Sequence, residues 1–256
     1  MTANPGEGYT TLSPGWLTNM LGSQTMRYLL WDFDGTLGYR GGGAWTAALL
    51  ETLDLALPDH TVTFEQLRPY MQVGFPWHQP EHPHLHLTFA EAWWEALYPI
   101  LARAYRGVGL DESLAGALAR QFRAVYLNLY RWRLFDDVLP ALDALSARGW
   151  THAILSNHVP ELGDIVRHLG LTARLARVFN SAETGYEKPH PRAFQTALET
   201  LPDVESVWMI GDNVTADVQG AEAVGLPAIL VRRQHPQARY CCETLYAISA
   251  YLFGVS

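Results

Sequence analysis

Two aspartates separated by one residue, Asp32 and Asp34, follow a short apolar run in this chain. The run covers residues 28–31 and is typical of a buried strand. Ionised carboxylates at the end of a buried strand lose hydration, which costs free energy unless something compensates for it. A divalent cation with oxygen ligands would compensate, whereas a strand that simply ends in an Asp-Gly turn needs no ligand. This segment alone leaves both interpretations open.

Further polar residues stand where later apolar runs end. Ser156 and Asn157 follow one run, and Asp212 follows another. Lys188 precedes a predicted helix, and Asp217 lies in the first turn of the next one. In a parallel sheet the carboxyl ends of the strands border one crevice, where ligands bind. We therefore expect these residues to converge with the first aspartate pair.

The converging residue types suit phosphoryl transfer. Several carboxylates around one cavity cannot all ionise cheaply without a cation, and hard oxygen ligands favour Mg²⁺. Ser156 and nearby backbone amides can bind phosphate oxygens, while Lys188 can hold a phosphoryl charge. Asp32 is a natural nucleophile for an aspartyl-phosphate, and Asp34 can serve as the acid and base. The spacing is compatible with these roles without requiring them.

The elements that would position these residues follow an α/β pattern. From residue 134 onward, short apolar strands alternate with helices, and residues 228–231 form the last predicted strand. This pattern predicts a Rossmann-like, doubly wound parallel sheet covered on both faces. The catalytic core would comprise residues 25–40 and 134–256, preceded by a partly ordered tail at 1–24.

Residues 41–133 have helical periodicity and no clear strand, so they predict a helical domain inserted after the first strand. Thr63 and Thr88 each begin a capping-box pattern that would open a helix. Asp111 would cap a further helix that runs to about Arg133.

Composition excludes several classes of protein. The 256 residues carry a net charge of −8 without a Lys/Arg-rich run, which argues against nucleic acid as a partner. No apolar run reaches membrane-spanning length, and the N-terminal residues lack a secretory signal pattern. The two cysteines, Cys241 and Cys242, are adjacent and predict a reducing compartment, with the cytoplasm as the default location.

Four segments together resemble a known family. They are Asp32-Phe33-Asp34-Gly35-Thr36-Leu37, Leu155-Ser156-Asn157, Lys188-Pro189 and Gly211-Asp212-Asn213-Val214-Thr215-Ala216-Asp217. In this order they are similar to motifs I to IV of the haloacid dehalogenase (HAD) superfamily of phosphohydrolases. Each segment alone is a weak signal, whereas the ordered set is specific.

The resemblance implies a role for each acidic residue and for the lysine. Asp32 would be the nucleophile and a Mg²⁺ ligand. Asp34 would be the general acid and base and would coordinate Mg²⁺ through its backbone carbonyl. Asp212 would be a further Mg²⁺ ligand. Lys188 would steady the phosphoryl group, and Asp217 would lie behind the ligands or position Lys188.

The resemblance also implies the substrate-binding residues and a lid. Ser156 and Asn157 would bind phosphate, and the hydroxyl donor Thr36 is predicted to bind substrate with them. The inserted helices at 41–133 resemble the family's C1 cap, which closes over the site and selects the substrate.

The second aspartate of the first motif narrows the reaction. Dehalogenases proper lack this carboxylate because a halide leaving group needs no protonation, so Asp34 favours phosphate-ester hydrolysis. We therefore predict a Mg²⁺-dependent phosphatase of a small phosphorylated metabolite. A phosphomutase of the same fold and a catalytically silent binding or regulatory relative remain alternatives, and the oligomeric state stays open.

One stretch of the insertion has no assigned role. Residues 78–86 contain four histidines between prolines. A zinc site and a loop that touches substrate are both compatible with this pattern, but a solvated loop is the favoured interpretation because no cysteine is near.

Overall fold

The computed structural model of the protein describes residues 25–253. The predicted tail at 1–24 lies outside that part of the chain. The described chain forms a parallel sheet with hydrophobic clusters on both faces, and a group of helices is inserted near its start. No helix within these residues is long and apolar enough to cross a membrane.

Six of the strands found within residues 25–253 form one sheet. In chain order the strands are β1 (Met26–Trp31), β2 (Gly38–Arg40), β3 (Trp132–Leu134), β4 (Trp150–Ser156), β5 (Leu175–Asn180), β6 (Val204–Gly211), β7 (Ala228–Val231) and β8 (Cys241–Cys242). The sheet order is β5-β4-β1-β6-β7-β8, and every neighbouring pair is parallel. The predicted Rossmann-like α/β fold class is confirmed.

Strand β1 lies between β4 and β6 because its side chains suit burial on both faces. Leu29 and Trp31 belong to one hydrophobic cluster, whereas Tyr28 and Leu30 belong to the other. Successive side chains of a strand point to opposite faces, so one apolar run serves both layers. All four residues are at most 2% exposed.

The helices cover the sheet and fill the insertion. In chain order they are α1 (Trp45–Ala56), α2 (Phe64–Leu67), α3 (Ala90–Gly107), α4 (Glu112–Tyr126), α5 (Val138–Ser146), α6 (Leu162–His168), α7 (Ser181–Thr184), α8 (Pro191–Thr200), α9 (Gly220–Ala223) and α10 (Ile248–Phe253). Helices α1 to α4 lie between β2 and β3, in the segment predicted to be helical. The predicted helix whose first turn contains Asp217 starts as a π-helical turn, Val214–Gln219, before α9.

The prediction that residues 41–133 contain no clear strand is wrong at their C-terminal end, where β3 begins at Trp132. Strands β2 and β3 pair antiparallel where the chain enters and leaves the inserted helices, with Tyr39 opposite Arg133. This ribbon also shortens the last inserted helix, which ends at Tyr126 rather than near Arg133. Strands of three residues have no periodicity to detect, and these form because the two connections run side by side.

Two helix starts differ in their capping. At α2, the Gln66 side chain accepts a hydrogen bond from the Thr63 backbone N–H at 2.8 Å, as the capping box predicts. At α3, the residue before the helix is Phe89, and the Thr88 hydroxyl donates to the Leu85 carbonyl instead. Thr88 therefore closes the preceding 3₁₀ turn and does not cap α3.

The sheet extends one strand beyond the predicted last one. Residues Cys241–Cys242 form β8 beside β7, with Leu230 opposite Cys241 and Val231 opposite Cys242. A two-residue strand has no sequence pattern of its own. It forms because the chain returns along the edge of β7, where backbone groups need partners.

Candidate active site

A cavity of about 440 Å³ lies at the carboxyl ends of β1, β4 and β6. The sheet side of the cavity contributes Asp32, Asp34, Lys188 and Asp212, all of which were predicted to belong to the site. The parallel sheet brings the three aspartates together because β1 and β6 end at the same edge, and the loop before α8 adds Lys188.

Asp32 is held firmly by one of its carboxylate oxygens. Its Oδ1 accepts hydrogen bonds from the Ser156 hydroxyl and from the Lys188 ammonium, each at 2.8 Å. Its backbone N–H donates to the Ile210 carbonyl at 2.8 Å, which fixes the residue against β6. In the part of the chain that the structure describes, Oδ2 of Asp32 has no protein hydrogen-bond partner. This oxygen is left for chemistry in the cavity.

Lys188 bridges two carboxylates inside the protein. Its Nζ lies 2.8 Å from Asp32 Oδ1 and 2.6 Å from Asp217 Oδ1, and its side chain is 2% exposed. Burial lowers the pKa of Lys188, but the charges of Asp217 and Asp32 more than offset this and hold the pKa above its ordinary value. The ammonium therefore stays charged next to Asp32.

The predicted phosphate ligand Asn157 lies at the cavity, but its side-chain amide is engaged elsewhere. Oδ1 accepts from the Lys188 backbone N–H at 2.7 Å, and Nδ2 donates to the Lys188 carbonyl at 2.8 Å. Both polar ends of the amide thus fix the backbone of Lys188. The side chain positions the lysine, in contrast to the phosphate contact expected from the sequence.

Thr36, predicted to bind substrate, does not reach the cavity. Its side chain is fully buried, and within residues 25–253 its hydroxyl has no hydrogen-bond partner. Its carbonyl accepts two hydrogen bonds from the Arg232 guanidinium, at 2.8 and 3.2 Å. Arg232 also binds Asp137 at 2.7 and 2.8 Å. The loop is thus held from behind by an arginine that sequence reasoning missed.

Three carboxylates could hold a cation. Oxygens of Asp32, Asp212 and Asp217 lie within 4.8 Å of one another. Both oxygens of Asp217 are already engaged, one by Lys188 and the other by the Asn213 backbone N–H at 2.9 Å. Asp212 makes no ion pair with any described residue, and burial together with Asp32 raises its pKa to about 6. Asp32 and Asp212 therefore offer the freer oxygens, and the set fits a hard divalent cation.

Asp34 stands beside a histidine that the sequence analysis did not single out. Before any cation binds, burial and the charges of Asp32 and Asp212 raise the pKa of Asp34 to about 8. His158 Nε2 lies 3.5 Å from Asp34 Oδ2, and the ring packs against Phe33 and Trp132. Burial lowers the pKa of His158 to about 4, so the ring is neutral at pH 7. The sequence feature that could have identified His158 is its position directly after Ser156 and Asn157.

The opposite wall of the cavity comes from the inserted helices and their loops. It contains Trp45, Trp77, Pro80 and Tyr126. None of the four histidines at 78–86 belongs to this wall. The described residues with metal-like spacing are the three aspartates alone, so the zinc interpretation of this loop has no support.

The model of one protein family matches residues 26–225, a span that carries all four predicted motifs. That family is the haloacid dehalogenase-like hydrolases. The chain belongs to this family. The predicted membership of the HAD superfamily, and with it the prediction of a hydrolase, is confirmed.

Several curated HAD relatives are similar over part of the chain. The human haloacid dehalogenase-like hydrolase domain-containing protein 3 is 30% identical over 155 residues, 59% of this chain and 60% of the relative. Its mouse counterpart is 28% identical over 217 residues, 82% of this chain and 84% of the relative. The phosphoserine phosphatase of Thermus thermophilus is 32% identical over 138 residues, 53% of this chain and 55% of the relative. The matches to the human and Thermus proteins thus span less than two thirds of those relatives.

Solved HAD structures share the fold over most of the chain. A dehalogenase matches with a TM-score of 0.65 at 19% identity, covering 91% of this chain and 99% of the other. The HAD-hydrolase YfnB of Bacillus subtilis, solved with bound magnesium, matches with a TM-score of 0.63 at 20% identity, covering 91% and 100%. At these identities the likeness concerns the fold.

Proposed function

We propose that this HAD hydrolase is a Mg²⁺-dependent phosphatase that cleaves a small phosphorylated metabolite through an aspartyl-phosphate on Asp32. The observation that carries the proposal is the asymmetry of Asp32. Ser156 and Lys188 both bind Oδ1, which leaves Oδ2 as the attacking oxygen. Relatives named as phosphatases, including the Thermus thermophilus protein, support this reaction class.

The first step transfers the phosphoryl group to the enzyme. Asp32 Oδ2 attacks phosphorus while the bond from phosphorus to the leaving oxygen breaks. Asp34, whose pKa burial raises above its ordinary value, gives a proton to the leaving oxygen. Lys188 stabilises the charge on the phosphoryl oxygens, since its ammonium is buried and held in place by Asp217.

The second step returns the enzyme to its starting state. Asp34, now ionised, accepts a proton from a water molecule that attacks phosphorus. The bond between phosphorus and Asp32 breaks, and inorganic phosphate leaves. Asp34 thus regains its proton, so the cycle balances without any further acid.

The acidic residues also support a Mg²⁺ site. Asp32 and Asp212 would hold the ion through carboxylate oxygens, and the Asp34 backbone carbonyl would be a further ligand. Bound there, Mg²⁺ supplies positive charge against the phosphate oxygens. Asp217 serves Lys188 rather than the ion, because both of its oxygens are engaged.

We further propose that residues 41–133 act as a cap over this site, with the glycines at 41–43 and the stretch 133–137 as hinges. The contribution of Trp45 and Trp77 to the cavity wall supports this assignment. A closed cap would exclude water from the phosphoryl group during the first step.

The substitution Asp32→Asn tests the nucleophile. Assayed on p-nitrophenyl phosphate with Mg²⁺, the variant should lose roughly 10³-fold or more in kcat/KM because an amide does not attack phosphorus. Mass spectrometry after an acid quench should detect the phosphoryl adduct in the wild type and none in the variant.

The matched control is Asp59→Asn, which changes an exposed aspartate of the insertion and should keep full activity. Removal of Mg²⁺ by EDTA should abolish wild-type turnover, and added Mg²⁺ should restore it. Wild-type turnover by Asp32→Asn would refute the proposed nucleophile. A sugar phosphate isomerised without release of phosphate would favour the phosphomutase.

A further inference from the structure

Two partly exposed indole rings, those of Trp45 and Trp77, line the cavity wall opposite the aspartates. The rings of Trp45 and Tyr126 stack with centroids 4.6 Å apart and an interplanar angle of 27°. Trp77 adjoins Trp45 at 5.3 Å. Phe75 supports Trp77 from behind, stacked at 4.6 Å and 16°. Because each ring is braced by another, the wall is a preformed platform for a flat group.

The positive charge that lines this cavity is already paired. Exposed Arg233 is not among the lining residues, although its charge lowers the pKa of Asp212. Lys188 is the only Lys or Arg side chain among its described lining residues, and two aspartates already pair with it. The adjacent arginine Arg40 is fully buried, binds Glu51 at 2.6 Å and donates to three main-chain carbonyls. Arg123 is likewise paired, with Glu161 and Glu91.

A second anionic group on a substrate would therefore be placed badly. It would meet the apolar faces of the rings, and it would lose hydration without gaining a counter-ion among the lining residues. An uncharged ring would bind favourably, because stacking on Trp45 and Trp77 removes apolar surface from water. The cavity volume of about 440 Å³ suits a phosphate with one ring system.

We propose that the substrate is a phosphate monoester whose leaving group carries a flat, uncharged aromatic ring that stacks on Trp45 and Trp77. This inference rests on the proposed phosphatase function and names its substrate class. Esters whose leaving group carries a carboxylate or a second phosphate are therefore not expected to be preferred substrates.

Two pairs of esters separate the contributions of ring and charge. The pair 2-phenylethyl phosphate and n-butyl phosphate differs in the ring while both leaving groups are primary alcohols. The pair benzyl phosphate and 4-carboxybenzyl phosphate differs in a remote charge. With Mg²⁺, kcat/KM should be at least about tenfold higher for the ring-bearing and for the uncharged member, respectively.

The variant Trp77→Leu locates the preference on the wall. It should lower kcat/KM for 2-phenylethyl phosphate by about tenfold more than it lowers kcat/KM for n-butyl phosphate. Trp77→Phe keeps a ring and should keep most of the preference. The control is Phe89→Leu, an aromatic residue of the insertion that is 77% exposed and outside the cavity wall.

Equal rates within both ester pairs, or an equal loss on both esters in Trp77→Leu, would overturn the proposal. Thermal melting of each variant shows whether Trp77→Leu is folded. If it is not, the ester preference of Trp77→Phe is compared with that of the wild type instead.

A failure of the phosphatase function gives a different result. No ester, including p-nitrophenyl phosphate, would then be turned over. Calorimetric titration with benzylphosphonate and propylphosphonate would still test the wall. Tighter binding of benzylphosphonate that is lost in Trp77→Leu would support the ring site, and equal binding would refute it.

Discussion

At the scale of single residues, burial next to charge decides what each ionisable group does. Lys188 stays charged while almost fully buried because Asp32 and Asp217 each lie within 2.8 Å of its Nζ. Removing one member of such a buried group leaves an uncompensated charge, which typically costs about 3–5 kcal/mol. Lys188 therefore connects the stability of the protein to the geometry of Asp32.

The neighbouring residue Glu187 is also buried, but its surroundings favour the neutral form of the side chain. The residue is 2% exposed, and within the described chain its Oε2 has no hydrogen-bond partner. Burial raises the pKa of this carboxyl from 4.5 to about 7, because the Ser181 hydroxyl and the Lys188 charge offset only part of the lost hydration. The folded protein therefore prefers Glu187 in its neutral form.

This preference predicts a pH-dependent stability. Because the folded pKa is raised, the neutral carboxyl contributes stability that is fully present below pH 4.5 and is lost as pH rises through about 7. Glu187→Gln should remove this dependence. From pH 5 to pH 8.5, the free energy of unfolding of the variant should therefore rise relative to that of the wild type by about 3 kcal/mol. Urea unfolding at both pH values measures the difference.

Glu222→Gln, which changes an exposed glutamate in α9, is the control and should follow the wild-type pH profile. If the Glu187→Gln profile runs parallel to the wild type, Glu187 is not neutral in the folded protein.

At the scale of elements, the turn after β6 folds tightly around Asp217. The Asn213 side chain accepts hydrogen bonds from the backbone N–H groups of Thr215 and Ala216, each at 3.0 Å. The Asn213 N–H itself binds Asp217 at 2.9 Å. Gly211 ends β6 so close to the Asp217 carboxylate that there is no room for a Cβ. The glycine thus lets Asp217 reach Lys188.

We predict that Gly211→Ala displaces Asp217. The variant should lose about 1–3 kcal/mol of stability from overpacking. It should also lose at least about tenfold in kcat/KM on p-nitrophenyl phosphate, because Lys188 loses its partner. Urea unfolding and steady-state kinetics measure the two effects.

Gly116→Ala is the matched control, since it adds the same methyl group at a position in α4 with open space around it. It should keep full activity and gain about 0.5–1 kcal/mol from helix propensity. Unchanged activity in Gly211→Ala would show that the close approach to Asp217 does not matter for turnover.

At the scale of the whole molecule, the inserted helices contact the core at points distant from the β2–β3 ribbon. Glu161, which precedes α6, accepts hydrogen bonds from Arg123 of α4 at 2.8 Å and from the indole N–H of Trp94 of α3 at 3.1 Å. The backbone N–H of His84 donates to the Gly185 carbonyl at 2.7 Å. These contacts hold the aromatic wall against the aspartates.

Breaking the Glu161 contact should therefore weaken substrate binding. In Glu161→Ala we expect KM for p-nitrophenyl phosphate to rise by about 3- to 10-fold with kcat changed less, because the closed arrangement becomes less populated. Hydrogen exchange in α3 and α4 should become faster.

The control, Glu95→Ala, removes a pair of similar geometry that lies wholly within the insertion, between Glu95 of α3 and Arg120 of α4 at 2.8 Å. This variant should leave KM unchanged. Equal increases of KM in both variants would mean that Glu161 does not hold the insertion on the core.

The sequence by itself determined the family, the parallel sheet and the identity of the main acidic residues. Each depends on local patterns: apolar runs such as residues 28–31, a polar residue such as Asp212 at a strand end, and motifs in a fixed order. Parallel strands end at one edge, so the meeting of Asp32 with Asp212 follows from topology alone.

Only the tertiary structure decided how these residues are used. It showed Asn157 bound to the Lys188 backbone, Thr36 buried behind the site, and His158 beside Asp34. It also supplied Trp77, whose loop had no readable pattern, to the cavity wall. The physical reason is common to all of these: a side chain's hydrogen bonds and burial depend on segments distant in the chain, and local spacing carries no information about them.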